Sequence, residues 1–494
     1  MLQSQKLLKG GQFLLLAILA MLTINTSAQE EKQKYVPVTD PLVLEKLEQW
    51  QDLKFGLMMH WGTYSQWGII ESWSICGEDE EWIKRFRNND NYEEYKKDYH
   101  NLQTTFNPVK FNPQRWAKAA KKAGMKYVVF TTKHHDGFAM YDTQYSDYKI
   151  TGEKTPFHTN PKADVTKEIF KEFGAEGFMI GAYFSKPDWS SPYFWWPENA
   201  TADRNPNYNI ERYPERWENF VQYTHNQIDE LMTNYGDIDI LWLDGGWVQP
   251  YTEQELWAYR AMKGFKQFNL QSQDLRMDEI AAKARIKQPG LIVVDRAVEG
   301  HNQNYITPEN KVPEEALLVP WETCLTGSAD GWSWRESREY KSINQIIHTL
   351  VDIVSKGGNL LLNIGPTPEG EFDPEAYELL EQIGNWMDIN GEAIYSSRAI
   401  APYKEGKVAL TQNRHTKAVY AIYLADEDEK SLPSKLWMST FAPAKKATVT
   451  LLGSNVKLQW EKVGKGFVVE IPESIRKKQK HSEAWVLKID KLED

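Results

Sequence analysis

The chain has 494 residues but only two cysteines, Cys76 and Cys324. Two cysteines permit one bridge at most, so the fold is not a disulfide scaffold. A chain this long buries enough surface without one. One bridge and two buried thiols both fit the sequence. Past the N-terminus no segment is apolar enough to span a bilayer. Positive charge is outnumbered: 58 Lys and Arg face 69 Asp and Glu, a net charge of −11. That balance lacks the basic footprint of a nucleic-acid partner. The one basic cluster, Arg476-Lys477-Lys478-Gln479-Lys480, reads as a solvated loop. No H-E-x-x-H is present, which removes the usual zinc-hydrolase helix. No G-x-S-x-G is present, which removes the acyl-transfer elbow. Internal repeats and low-complexity linkers are absent too.

What is plentiful is tryptophan, with 20 in the chain. Core packing absorbs most Trp in any protein. The indole also offers a flat apolar face with an N–H at its rim, which suits the C–H face of a sugar ring. At the N-terminus, Lys6 and Lys9 precede an apolar run over residues 13–22, and Thr26-Ser27-Ala28 follows. This is the layout of a secretory signal peptide with its cut after Ala28. It predicts export, to the periplasm or the medium, and a mature chain without a membrane span.

From about residue 50 to 390, β-type runs alternate with amphipathic helical stretches. The strand candidates are 55–59, 127–131, 179–184, 238–243, 291–294 and 360–364. The helical stretches include 113–123, 164–173, 217–234 and 343–355. Such alternation predicts an irregular (β/α)8-like, TIM-type barrel over residues 29–392. From 393 to 494 the runs are short and β-rich with no long helix, which predicts an antiparallel β-sandwich.

In a (β/α)8 enzyme the active site gathers at the C-terminal ends of the strands. Here those ends read His60-Trp61, Lys133-His134-His135-Asp136, Ser185-Lys186-Pro187-Asp188, Asp244-Gly245-Gly246 and Asp295-Arg296. Each apolar run stops on ionisable or polar groups, which predicts one convergent polar cleft. The run 238–243 is the most telling, because it stops on the single carboxylate of Asp244 between Trp242 and Trp247. Asp244 reads either as a nucleophile in an aromatic pocket or as a cap of the glycine turn. Three chemistries compete. A metal site on His60, His134 and His135 lacks the H-E-x-x-H spacing, and adjacent histidines in an extended strand end point apart unless a turn relaxes them. Acyl transfer lacks its elbow. Glycoside hydrolysis by two carboxylates, with histidines and an arginine binding sugar hydroxyls, fits the aromatic content and the export signal. No metal and no cofactor are expected.

The blocks KFGLMMHWG at 54–62, KYVVFTTKHHDGF at 126–138, LWLDG at 241–245, LLNIGP at 361–366 and NGEAIY at 390–395 resemble, in order, those of the α-L-fucosidases of glycoside hydrolase family 29. The resemblance spans about residues 35 to 490, and its expected setting is a bacterial, exported member. It implies a retaining exo-α-L-fucosidase that removes terminal fucose from fucosylated oligosaccharides or glycoconjugates by double displacement. Asp244 matches the nucleophile. Glu309, in YITPE at 305–309, resembles the acid/base, with Glu299 and Glu322 as rivals. His60, His134, His135 and Arg296 match residues that bind fucose. The family's Glu-Trp pair corresponds to Glu71 and Trp73, or alternatively to Glu81 and Trp82. Trp332 or Trp334 is expected to face the fucose methyl group, and Tyr183 or Phe184 to complete the pocket. The stretch 251–289 is a long insert expected to shape the leaving-group region, and YITPE looks more like the broad-acting members. Two other readings stay open: a catalytically silent fucose binder on the same scaffold, and a different exo-glycosidase.

Overall fold

The computed structural model describes residues 35–493 apart from 79, 84, 87–90, 263–266, 268, 330, 337–338, 455 and 479–481. The signal-peptide expectation over residues 1–28 lies outside the described residues. Seven parallel strands make the first sheet: β1 Phe55–Met59, β2 Tyr127–Lys133, β3 Met179–Ser185, β4 Ile240–Asp244, β5 Ile292–Asp295, β6 Glu322–Thr326 and β7 Asn359–Asn363, in the order β5-β4-β3-β2-β1-β7-β6. The helices are α1 Pro41–Leu53, α2 Tyr92–Asn101, α3 Pro113–Lys122, α4 Val165–Ala175, α5 Pro214–Asn234, α6 Glu253–Met262, α7 Met277–Lys287, α8 Ile343–Ser355, α9 Pro374–Asn390 and the short α10 Glu473–Arg476. No helix among the described residues is long and apolar enough to cross a membrane.

Strands buried on both faces must be apolar throughout, and most of these are. One set of side chains fills the inside of the curled sheet. Met58, Val129, Tyr183, Trp242, Val294, Cys324 and Leu361 belong to this inner core, which Trp50 of α1 and Tyr305 also join. Trp50 and Tyr305 stack with ring centroids 4.0 Å apart. The alternate residues, such as Leu57, Val128, Phe130, Leu241 and Leu243, face the helices in the outer core. β6 escaped the sequence reading because Glu-Thr-Cys-Leu-Thr is too polar to resemble its neighbours.

Among the described residues no eighth regular strand closes the sheet. The gap between β5 and β6 is spanned by residues 302–310, which bridge to both edges. The Asn304 N–H donates to Val293 O (3.0 Å), Ile306 N–H to Pro320 O (3.0 Å), Glu322 N–H to Ile306 O (2.8 Å) and Asn310 N–H to Cys324 O (2.9 Å). The segment runs antiparallel to β5 at Gln303 and parallel to β6 at Ile306 and Glu309. Pro308 has no N–H to give a ladder, so a regular strand cannot persist here. This is the irregularity expected of the (β/α)8-like barrel, and it carries Glu309.

The second sheet is antiparallel: β8 Ser397–Glu405, β9 Val408–Asn413, β10 Val419–Leu424, β11 Lys435–Met438, β12 Val449–Leu451, β13 Lys457–Val463, β14 Gly466–Glu470 and β15 Ala484–Ile489. Its eight strands are continuous, in the order β11-β14-β13-β12-β15-β10-β9-β8. Leu410, Val419, Leu436, Phe467 and Leu487 from both ends of that order share one core. The opposite face, with Ala409, Tyr420, Ile422 and Val486, joins the outer core of the barrel. The Trp386 indole N–H on α9 donates to Ala484 O (3.0 Å) across this junction. Cys76 and Cys324 are both buried and unbridged.

Candidate active site

A cavity of about 620 Å³ opens at the C-terminal ends of the parallel strands. Asp244, the last residue of β4, reaches into it. The turn behind it requires glycine. Gly245 has φ +90°, and a Cβ there would run into Pro187 Cδ. The Gly245 N–H donates to Asp244 Oδ1 (2.8 Å). Arg296, just past β5, donates from Nη1 to the same oxygen (2.8 Å). The Tyr183 hydroxyl on β3 donates to Oδ2 (2.7 Å). Burial acts to raise this carboxyl, but Arg296, His135, Tyr183 and His134 outweigh it. Asp244 is therefore held far below the usual carboxylate range and is ionised at every pH the protein meets.

The three strand-end histidines converge around it. His60 follows β1, and its Nδ1 pairs with Asn363 Oδ1 of β7 (2.8 Å). Asn363 also donates from Nδ2 to Trp332 O (2.7 Å), so one amide holds both a histidine and an aromatic wall. His135 Nδ1 pairs with Ser185 Oγ at the end of β3 (2.8 Å), and His134 Nδ1 pairs with Ser72 Oγ. His135 Nε2 lies 3.8 Å from Asp244 Oδ2. The ring of His134 is 4.2 Å from that of His135 and 5.6 Å from that of His60. Burial lowers His60 and His135 to about 4, and lowers His134 further with help from its two neighbours. All three are neutral near pH 7. Each then offers one donor or one acceptor, which suits hydroxyl groups rather than an anion. His134, His135 and Asp244 place possible ligand atoms within 4.8 Å of one another. A cation there would compete with the Arg296 guanidinium for Asp244, so the donor set fits a metal poorly.

Glu71 and Trp73 both line the cavity. Glu71 is buried, and its Oε1 accepts the backbone N–H of Trp332 (3.1 Å) and of Ser333 (2.6 Å). Burial pushes its carboxyl up to about 7. Trp73 sits 5.1 Å from His135 and 5.6 Å from Trp247, ring to ring. Of the alternative pair, Trp82 also lines the cavity, whereas Glu81 is exposed and does not. Tyr183 faces the cavity and its neighbour Phe184 turns to the outer core, as strand alternation requires. Trp332 packs 5.1 Å from His60 and walls the site. The alternative, Trp334, lies elsewhere. Two residues on, its ring lines a separate cleft, where its N–H donates to Asp373 Oδ1 (2.8 Å).

The three candidate acids separate cleanly. Glu309 lines the cavity, and Arg296 bridges it to Asp244, giving Nη1 to one carboxylate and Nη2 to the other. The Glu309 side chain is 41% exposed, enough to exchange protons with water. Glu299 lies in a different surface depression with Arg276 and His301, outside the cavity. Glu322 is the first residue of β6, at the far end of that strand from the cavity. It accepts the Tyr127 hydroxyl (2.6 Å) and the Trp242 indole N–H (3.2 Å) inside the barrel. Of the three, Glu309 alone lines the cavity.

Several cavity residues carry no sequence signal. Arg204, in the loop between β3 and α5, lies over the rings of Trp73 (4.6 Å) and Trp247 (5.0 Å). Gln249 is another, whereas Tyr251 and Tyr259 belong to the insert 251–289 to which the sequence pointed. Conversely, some strand-end polar groups do not face the cleft. Lys133 pairs with Asp188 (3.0 Å), both buried, and Lys186 pairs with Asp295.

The Alpha-L-fucosidase family profile matches residues 22–392, and the Alpha-L-fucosidase C-terminal domain profile matches residues 403–490. The alpha-L-fucosidase of Branchiostoma floridae is 27% identical over 470 residues, covering 92% of this chain and 96% of its own. Human plasma alpha-L-fucosidase is 28% identical over 458 residues, 89% of each chain. Among solved structures, alpha-L-fucosidase isoenzyme 1 from Paenibacillus thiaminolyticus superposes with a TM-score of 0.69 at 28% identity, over 92% of this chain and 100% of its own. An alpha-L-fucosidase from Bacteroides thetaiotaomicron, 23% identical, shares the fold with a TM-score of 0.68 over 93% of this chain and 98% of its own. With both profiles spanning nearly the whole described chain, the protein belongs to the α-L-fucosidase family, glycoside hydrolase family 29.

Proposed function

We propose that the chain is a retaining exo-α-L-fucosidase in which Asp244 is the nucleophile and Glu309 the acid/base. The observation that carries this reading is the Arg296 bridge between two carboxylates, one half-buried and ionised, the other open to water. Asp244 attacks the anomeric carbon of fucose while Glu309 gives its proton to the departing glycosidic oxygen. A covalent fucosyl-enzyme forms. Water then attacks the same carbon, Glu309 takes its proton, and the Asp244–carbon bond breaks. Two inversions give net retention. The lowered pKa of Asp244 favours the second step, because so weak a base leaves readily. His60, His134, His135 and Glu71 supply hydrogen bonds to the sugar, and Trp332 the apolar contact for its methyl group.

The test is turnover of an aryl α-L-fucoside. Asp244→Gly should lose activity, and added azide should yield the inverted β-fucosyl azide. Glu309→Ala should stall at deglycosylation, and azide should restore turnover with the retained α-fucosyl azide. A silent binder would hold fucose and release no phenol; an aryl galactoside hydrolysed in preference would identify another exo-glycosidase. We further propose an exported bacterial member cut after Ala28. The layout of residues 6–28 supports export. A mature N-terminus other than Gln29 would count against that cut.

A further inference from the structure

A neutral imidazole carries its hydrogen on one ring nitrogen and a lone pair on the other, and the groups around it set which. For His135 the group is Ser185, the last residue of β3. Its hydroxyl lies 2.5 Å from Pro187 O, an atom that can only accept. The one hydroxyl hydrogen is therefore committed there. Toward His135 Nδ1, 2.8 Å away, Ser185 Oγ has only a lone pair to offer, so Nδ1 is the donor. The lone pair of His135 then sits on Nε2, which lies 3.8 Å from Asp244 Oδ2. The arrangement is rigid. Pro187 packs on Gly245, directly after the nucleophile, where a Cβ would strike the proline ring. The Trp189 N–H donates to His135 O (2.8 Å). Trp73, Trp189 and Trp247 enclose the imidazole, with ring centroids 5.1, 5.2 and 5.3 Å away.

His60 reaches the same state through a different residue. Asn363 Oδ1 accepts the His60 backbone N–H (3.2 Å), while Asn363 Nδ2 donates to Trp332 O (2.7 Å). An N–H can only donate and a carbonyl only accept, so this amide has one orientation. Its oxygen therefore also accepts from His60 Nδ1 (2.8 Å), which leaves the lone pair on His60 Nε2.

The tautomer matters most beside Asp244. That carboxylate already accepts hydrogen bonds from Gly245, Arg296 and Tyr183. With its hydrogen on Nε2, His135 would add a fourth donor and tie up a lone pair needed for attack. Two acceptors face each other instead, and a substrate hydroxyl supplies the hydrogen between them.

We propose that Ser185 and Asn363 are positioning residues that lock His135 and His60 as Nδ1–H tautomers, so that both present acceptors to substrate hydroxyls and His135 withholds an N–H from the nucleophile. The effect on turnover rests on the fucosidase reading; the tautomers do not.

The experiment records solid-state nitrogen NMR spectra of the whole protein, with isotope-labelled histidine, at neutral pH and without substrate. His60→Gln and His135→Gln assign the two residues. Both should appear as neutral Nδ1–H tautomers; either one found as Nε2–H or as imidazolium overturns the proposal, whether or not any other variant folds. Ser185→Ala should move the His135 hydrogen to Nε2 and lower kcat on an aryl α-L-fucoside on the order of ten-fold, with KM little changed. Ser185→Thr, which keeps the hydroxyl, should restore both. A tautomer that moves without kcat, or a kcat that falls without the tautomer, overturns the positioning role of Ser185. A wild type that turns over no aryl fucoside overturns the fucosidase reading and leaves the tautomers standing.

Discussion

Asp244 owes its state to three donors rather than to exposure, and each is separable. Replacing it with Asn should lower kcat on an aryl fucoside on the order of 10⁴-fold or more, the scale of a lost nucleophile. The histidines predict the pH profile. Because burial holds His60 and His135 near 4, the acid limb of kcat/KM should fall near pH 4. Imidazole NMR signals of either residue titrating near the ordinary 6.5 would contradict their burial, whereas a further break in the profile near 7 would report Glu71. Trp332 and Trp334 make a matched pair two residues apart. Trp332→Ala should cost about 10- to 100-fold in kcat/KM, the scale of a lost apolar contact. Trp334→Ala, in its own cleft, should change kcat/KM less than two-fold. At this scale the sequence was partly legible. Asp244, His60, His134, His135 and Arg296 announce themselves because each directly follows or ends an apolar strand. Trp332 and Trp334 were indistinguishable, since which side of a loop a ring takes is set by the Glu71 clamp on its backbone. Arg204 and Asn363 were invisible as site residues. Their roles come from partners far away in sequence, Glu78 and His60.

Among the elements, the bridging segment 302–310 matters most, because it delivers Glu309 where the described residues hold no regular eighth strand. Its irregularity is why the acid stayed ambiguous in sequence while the nucleophile did not. Periodicity finds strands such as β1 and β4, and it passes over a bent segment containing Pro308. Glu322 illustrates the opposite error. The sequence offers it as a rival for the acid, yet its place at the start of β6 puts it in the barrel interior. Burial pushes its carboxyl up to about 7, against the ordinary 4.5. The folded protein thus keeps a proton that the unfolded chain releases, so this group lowers stability as pH rises between about 4.5 and 7. Glu322→Gln should remove that dependence. Chemical denaturation at pH 5 and pH 8 should show the variant gaining about 2–3 kcal/mol on the wild type across that range. A parallel shift of both proteins would contradict a buried, protonated Glu322.

On the scale of the whole molecule, alternation of strand and helix was enough to read a (β/α)8-like barrel, and the change of texture after residue 393 enough to read an antiparallel β domain. What alternation could not give was closure. Whether a parallel sheet ends in an eighth strand depends on backbone pairing at its edges, here the bonds of Asn304, Ile306 and Asn310. Nor could it show that the antiparallel sheet presents one face to the barrel and keeps a core of its own on the other. The central claim, that one carboxylate at the end of β4 becomes covalently fucosylated, has a direct test. The enzyme is incubated with 2-deoxy-2-fluoro-α-L-fucosyl fluoride, digested, and its peptides are mapped by mass. The account predicts a single 2-fluorofucosyl adduct on the peptide containing Asp244, lost in Asp244→Asn. An adduct on any other carboxylate would contradict it, as would turnover of aryl fucosides with no adduct at all.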